Sequence, residues 1–175
     1  MSNEEQIAYW NGDAGRKWAE KDHMMAAMLG PIARALLDHC DPAGATRVLD
    51  VGCGGGSETL MLADRLGAGA RVLGIDVSAP LLAVAQQRLA DAGELPVAVD
   101  FLQADASEHA FEPGAWDFLF SRFGVMFFDD PVGAFRNLRA ALAPGGRMAF
   151  CCWQRLQDNP WVAVPLKAAL EHLPP

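Results

Sequence analysis

The sequence predicts an α/β fold: a mostly parallel sheet with helices on both faces. Three observations carry the prediction. Strand-like runs alternate with segments of helical periodicity from residue 47 onward. Two of the runs, Val48 to Val51 and Phe118 to Phe120, show no polar alternation, as strands buried on both faces should not. The run Val48-Leu49-Asp50-Val51 passes straight into Gly52-Cys53-Gly54-Gly55-Gly56 and then into a helix-like segment, the order strand, bare-backbone turn, helix.

Two helical stretches come first, about Ile7 to Lys21 and Met24 to Cys40. Met24, Met25 and Met28 recur at helical spacing with Leu29 and Ile32, which is expected to pack them on the sheet. The first strand is read at Arg47 to Val51, followed by a helix from Glu58 to Leu66 that Gly67 ends. A second strand, Arg71 to Ile75, leads to Ser78 as N-cap with Pro80 in the first helical turn; the apolar positions Leu81, Leu82, Ala85 and Leu89 continue that helix to Gly93. The third strand is Val97 to Leu102, and the short segment after it carries little helix. Trp116 to Ser121 is the fourth. Asp130-Pro131 caps the next helix, whose Phe135, Leu138 and Leu142 repeat until Pro144-Gly145-Gly146. The fifth strand is Arg147 to Trp153, and one more helical stretch runs to Leu173.

Composition narrows the function. The chain has 175 residues, 51% hydrophobic and 21% charged, which fits one globular domain with a sizeable core. A net charge of −8 without any basic run argues against nucleic acid and against anionic membranes. No segment reaches the roughly 18 consecutive apolar residues of a membrane span. The acidic, polar start (Ser2, Asn3, Glu4, Glu5) lacks the basic and apolar regions of a signal peptide, so a cytoplasmic location is the expectation. Cys40, Cys53, Cys151 and Cys152 have no zinc-site spacing and are read as free thiols; no metal is expected.

Ligands of such sheets bind outside the carboxyl ends of the strands, and there the sequence places acids. Asp50 precedes the glycine loop, where it suits a ligand with a cationic end better than a pyrophosphate. Asp76, with Val77 beside it, ends the second strand 26 residues later, placed to accept both hydroxyls of a ribose. Asp105 and Ala106 follow the third strand, where a carboxylate and a backbone group can meet an adenine. Ser121-Arg122-Phe123-Gly124 follows the fourth. Each acid taken alone also has a structural reading: Asp50 holding the turn, Asp76 capping a helix, Asp105 a loop acid. A dinucleotide fingerprint is the competing use of the glycines, but it wants Gly or Ala where Ser57 stands, and Asp50 would face a pyrophosphate with like charge.

The joint pattern resembles the class I S-adenosylmethionine-dependent methyltransferases over about residues 44 to 153. Asp50, Gly52, Gly54 and Gly56 look like their first motif, Ile75-Asp76 like the acidic end of their second strand, and Ala104-Asp105-Ala106 like their adenine loop. Asp117 to Ser121 resembles their fourth strand, and Leu142-x-Pro144-Gly145-Gly146 the turn into their fifth. Tyr9-Trp10-Asn11-Gly12, Gly15 and Trp18, with Ser121 to Phe128, are similar to the small-molecule enzymes related to ubiquinone and menaquinone methyltransferases. The resemblance implies a Rossmann-like core at 44–153, an N-terminal helical lid at 1–43 and a C-terminal helical segment at 154–175. It implies that S-adenosyl-L-methionine binds at Asp50, Gly52, Cys53, Gly54, Gly56, Asp76, Val77, Asp105, Ala106 and Ser121, with Asp50 facing the ammonium group through water. Trp10 and Trp18 join the lid or pack a helix; the two readings stand level.

Arg122, Phe123 and Met126 fall where a small-molecule acceptor should enter. The activated methyl comes with the cofactor, so the protein must mainly align a nucleophile and exclude water. His23, His39, His109 and His172 are each read as structural, and no catalytic residue is named. Such enzymes usually have seven strands; here strands six and seven lack any signal, and the chain resembles a methyltransferase truncated after strand five. Strand five is then expected to be an apolar edge that pairs with a second copy. A cofactor-binding or dimerising module without turnover is the alternative to an active methyltransferase.

Overall fold

The computed structural model describes residues 2–173. Among them, five strands form a single parallel sheet: β1 (Arg47–Val51), β2 (Arg71–Asp76), β3 (Ala98–Gln103), β4 (Trp116–Arg122) and β5 (Leu142–Cys151), in the order β3-β2-β1-β4-β5. The order reverses between β1 and β4, so the crevice lies at their carboxyl ends. Seven helices accompany the sheet: α1 (Asn3–Asn11), α2 (Asp13–Glu20), α3 (Asp22–Cys40), α4 (Ser57–Ala63), α5 (Ala79–Ala92), α6 (Pro131–Ala141) and α7 (Pro160–Leu170).

Apolar side chains of β1 and β4 point alternately to the two faces. Val48, Phe118 and Phe120 pack with Leu37 of α3 and Leu62 of α4, while Leu49, Val51 and Leu119 pack with Leu138 and Ala141 of α6. Burial of large side chains such as these, at about 1.5–3 kcal/mol each, is the main term holding the layers together. The caps read from sequence are present: the Ser78 hydroxyl accepts from Leu81 N at 3.4 Å, and Asp130 Oδ1 accepts from Gly133 N at 2.9 Å.

Three expectations about elements are corrected. The first helical stretch is two helices, because the chain turns at Gly12, and α2 folds back so closely that a Cβ at Gly15 would lie 1.8 Å from Trp10 O. β5 begins at Leu142 rather than Arg147 and ends before Trp153: Leu142 already pairs with Trp116, a register shift absorbs Pro144-Gly145-Gly146, and α6 stops at Ala141. Met24 and Met28, placed on the sheet by their periodicity, are 56% and 50% exposed. β5 is the edge expected for strand five, with Phe150 exposed on it. All four cysteines are free.

Candidate functional site

A cavity of about 600 Å³ opens at the carboxyl end of the sheet. Its walls follow the strand order. Ala104, Asp105 and Ala106 come from the end of β3, Asp76 and Val77 from β2, and Val51 to Gly55 from the loop after β1; Arg122, Phe123 and Gly124 come from β4, and Trp153 and Gln154 from beyond β5. Trp10 and Trp18 from α1 and α2, with Met25 and Met28 from α3, cover it on one side; Trp161 and Val162 of α7 cover it on another.

The loop after β1 is shaped by contact, not by composition alone. Gly52 (φ +70°) and Gly124 approach backbone to backbone: a Cβ on Gly52 would sit 2.6 Å from Gly124 Cα, and one on Gly124 would sit 2.4 Å from Val51 O. The loops of β1 and β4 therefore touch at the point where strand order reverses. Gly54, at φ +54°, has no atom within 4 Å of where its Cβ would be, which leaves an open floor of main chain. Gly56 differs. It is not on the wall; its Cβ would strike Ala85 and Phe101 at 2.8 Å, so it is required by packing against the neighbouring layer.

Asp76 ties the loop to β2. Its Oδ2 accepts from Gly54 N at 2.8 Å and its Oδ1 from Ser78 N at 2.8 Å. Burial pushes its carboxyl above the usual range, against those backbone donors. Asp105 Oδ1 accepts from Ser107 N and Oγ at 2.8 and 2.7 Å, and its Oδ2 accepts from the Asn3 side-chain amide of α1. Asn137 holds the same loop by donating to Ala106 O at 3.1 Å and His109 O at 2.9 Å. The end of α1 is fastened to the β2 loop by the Asn11 amide, which donates to Val77 O at 2.9 Å and accepts from Ala79 N at 3.0 Å, and by the Ser78 hydroxyl, which donates to Trp10 O at 2.7 Å. Trp10 packs edge-on against both Trp18 and Phe127, at 5.8 and 5.5 Å between ring centres.

Besides Gly56, two more sequence-derived site residues lie off the cavity wall. Asp50 is 1% exposed and accepts from the Thr59 hydroxyl of α4 at 2.6 Å; burial pushes its carboxyl up to about 7, with Glu58 adding to the rise and the Thr59 bond and Arg122 opposing it. It holds the turn from beneath, because side chains of even-numbered β1 residues point to the α4 face. Ser121 is 2% exposed, donates to Val51 O at 2.7 Å and accepts from Val125 N at 3.2 Å, a staple between β1 and β4. Cys53 is on the wall, but burial pushes its thiol well above the usual value, so it is an inert apolar contact. Val77, Trp10, Trp18, Arg122, Phe123 and Met126 all line the cavity.

The structure adds residues the sequence did not single out. Glu58, in the first turn of α4, lines the cavity and pairs through Oε2 with Arg122 Nη2 at 2.9 Å. In the sequence it reads as an acid complementing a helix N-terminus, and only the strand order brings it to Arg122. Asp22 also lines the cavity, paired with Arg88. Phe123 holds a left-handed backbone (φ +65°), which presents its ring to Trp153 in a parallel stack at 4.3 Å, and Trp161 lies 5.3 Å beyond. Among the described residues no histidine lines the cavity, and no cluster could hold a metal ion.

This arrangement has relatives. Residues 49–150 match the model of a family described as a methyltransferase domain. The chain is 30% identical over 159 residues to aklanonic acid methyltransferase DauC of Streptomyces sp., covering 87% of this chain and 71% of that one. It is 40% identical over 102 residues to demethylmenaquinone methyltransferase of Thermus thermophilus, covering 58% of this chain and 44% of the relative. Among solved structures it resembles phosphoethanolamine N-methyltransferase 2 of Haemonchus contortus in complex with S-adenosyl-L-methionine, with a TM-score of 0.60 and 26% identity over 77% of this chain and 32% of that one. The chain thus spans less than half the length of some of the proteins it matches. It belongs to the methyltransferase-domain family and has the Rossmann-like fold of the S-adenosylmethionine-dependent methyltransferases.

Proposed function

We propose that this chain is an S-adenosylmethionine-dependent methyltransferase acting on a small, largely apolar acceptor. One observation carries the reading: three strand ends deliver a paired-off ribose acceptor, an adenine-loop acid and a bare glycine floor to the same cavity, in the order in which nucleoside and amino-acid parts of one ligand would lie. Asp76 would bind the ribose hydroxyls, Asp105 and the Ala106 backbone the adenine, and the open main chain at Gly54 would run under the methionine part. The cofactor supplies a methyl group already activated on a sulfonium. The protein's own share is to align the acceptor in line and to keep water out. Trp10, Trp18 and Phe127 close one side as a lid; Phe123, Met126, Trp153 and Trp161 offer a flat aromatic surface on the acceptor side. That surface suits a planar, conjugated acceptor, consistent with relatives named for aklanonic acid and demethylmenaquinone. The chain's net charge of −8 does not favour a nucleic-acid acceptor. No helix among the described residues is long and apolar enough to cross a membrane.

Calorimetry with S-adenosylmethionine and S-adenosylhomocysteine tests the cofactor half. The wild type should bind both, and Asp76→Ala should lose at least about tenfold in affinity, the effect of removing hydrogen bonds to a charged acceptor. A panel of hydroxylated aromatic acceptors, read by release of S-adenosylhomocysteine, tests the transfer. Binding without release across the panel favours a module that holds cofactor without turnover, and no binding with Asp76→Ala unchanged sinks the reading. A second copy pairing along the β5 edge is part of the proposal, and a monomeric mass at all concentrations in light scattering would remove it.

A further inference from the structure

Among the described residues, the cavity has five charged ones on its wall: Asp22, Glu58, Asp76, Asp105 and Arg122. Arg122 is the only cation among them. Asp76 and Asp105 lie toward the β3 side, and Asp22 is matched by Arg88. Glu58 and Arg122 sit together where the β1 and β4 loops meet, at the far end of the glycine floor from Asp105. Their mutual bond leaves capacity unused on both partners: Glu58 Oε1 and Arg122 Nε are buried with no hydrogen-bond partner. Glu58 is 4% exposed, so an unpartnered carboxylate oxygen there is an unmet demand for a donor. Asp50, the acid expected to meet the cofactor's ammonium, is beneath the loop and already bonded to Thr59.

A ligand laid along the strand ends from β3 to β1 brings its last atoms to this pair. The amino-acid end of S-adenosylmethionine is a zwitterion, and it requires one acceptor for three N–H donors and one donor for a carboxylate. Glu58 and Arg122 provide one of each. We propose that the Glu58–Arg122 pair is the recognition site for the methionine end of the cofactor, Glu58 taking the ammonium and Arg122 the carboxylate, in place of Asp50. The proposal rests on the cofactor reading above and moves Arg122 from the acceptor to the cofactor. Acceptor recognition then falls to the aromatic wall of Phe123, Trp153 and Trp161.

The test compares three nucleosides by calorimetry against wild type, Glu58→Gln and Arg122→Met. S-adenosylhomocysteine has both charges. S-adenosyl-3-thiopropylamine keeps the amine and lacks the carboxylate. 5′-Methylthioadenosine lacks both. Glu58→Gln should weaken the first two by roughly 10- to 100-fold, the range for losing a charge-assisted hydrogen bond, and leave methylthioadenosine within about twofold. Arg122→Met should weaken S-adenosylhomocysteine alone by a similar factor. Equal losses for all three nucleosides would reveal a structural role and overturn the proposal. Unchanged affinities with lost turnover would give the pair to the acceptor and overturn it too. If a variant does not fold, the wild type decides: thiopropylamine and methylthioadenosine binding as tightly as S-adenosylhomocysteine would refute recognition of the charged end. Failure of every nucleoside to bind the wild type would instead reject the cofactor reading itself.

Discussion

Asp50→Asn should stabilise the ligand-free protein at neutral and alkaline pH. The carboxyl of Asp50 is 1% exposed and burial pushes its pKa from 3.8 up to about 7. A folded-state pKa above the unfolded value means that the folded protein binds the proton more tightly. The native state is therefore favoured in acid, loses that advantage as pH rises from 3.8 to about 7, and is constant above it. Roughly three pKa units correspond to about 4 kcal/mol in all, of which about 2 kcal/mol falls between pH 5.5 and 8.5. The asparagine carbonyl can still accept from Thr59 and carries no charge, so the variant should lack this pH term. Urea unfolding of both proteins at pH 5.5, 7 and 8.5 gives the difference directly. Asp50→Asn should gain on the wild type by about 2 kcal/mol between pH 5.5 and 8.5. A difference that does not move with pH, or that moves the other way, would refute the burial argument. The same variant should bind S-adenosylhomocysteine within about threefold of wild type, since Asp50 is off the wall and so short of the tenfold loss expected for a direct contact.

Gly15→Ala forces a Cβ against Trp10 O at 1.8 Å, so it should cost about 2 kcal/mol and lower Tm by roughly 4–8 °C, measured by thermal unfolding; an unchanged Tm would show that α1 and α2 part without penalty. Asn3→Ala removes the amide that occupies Asp105 Oδ2. Because that oxygen is where an adenine amino group would bond, the variant should bind S-adenosylhomocysteine about fivefold more tightly in calorimetry, about 1 kcal/mol for removing the competing amide; weaker binding would mean that Asn3 closes the lid over the ligand and does not compete with it.

The sheet was legible in the sequence because its signals are local. Each parallel strand is a short apolar run, the helices after β2 and β4 open on the polar caps Ser78 and Asp130, and four of the five strands lie within a residue or two of where their runs predict. β5 was not, because its start is fixed by pairing of Leu142 with Trp116 across a bulge, a property of two segments at once. That Asp76, Asp105, Gly52 and Gly54 stand together at the strand ends was legible for the same local reason. The place of Asp50 off the cavity wall was not legible, because sequence shows that an acid ends the strand and not which face it takes; one step of strand pleat separates the cavity from the α4 layer. Glu58 was invisible because its partner Arg122 is 64 residues away, and the methionines of α3 were misplaced because periodicity marks an apolar face without saying whether it meets a sheet or a ligand.

The contact of Gly52 with Gly124 divides the cavity into halves made of different material. On the β1 side the floor at Gly52 and Gly54 is main chain, and its shape depends on the absence of side chains there. On the β4 and β5 side, beyond Gly124, it is mostly side chain: Phe123, Met126, Trp153, and Trp161 of α7. The first half admits almost no sequence variation without closing, yet accepts the same ligand in any chain that can fold it. The second can be rebuilt residue by residue while the strands beneath stay still. On the proposed assignment, a change of acceptor is a matter of a few exchanges in this half, whereas a change of cofactor would require another backbone.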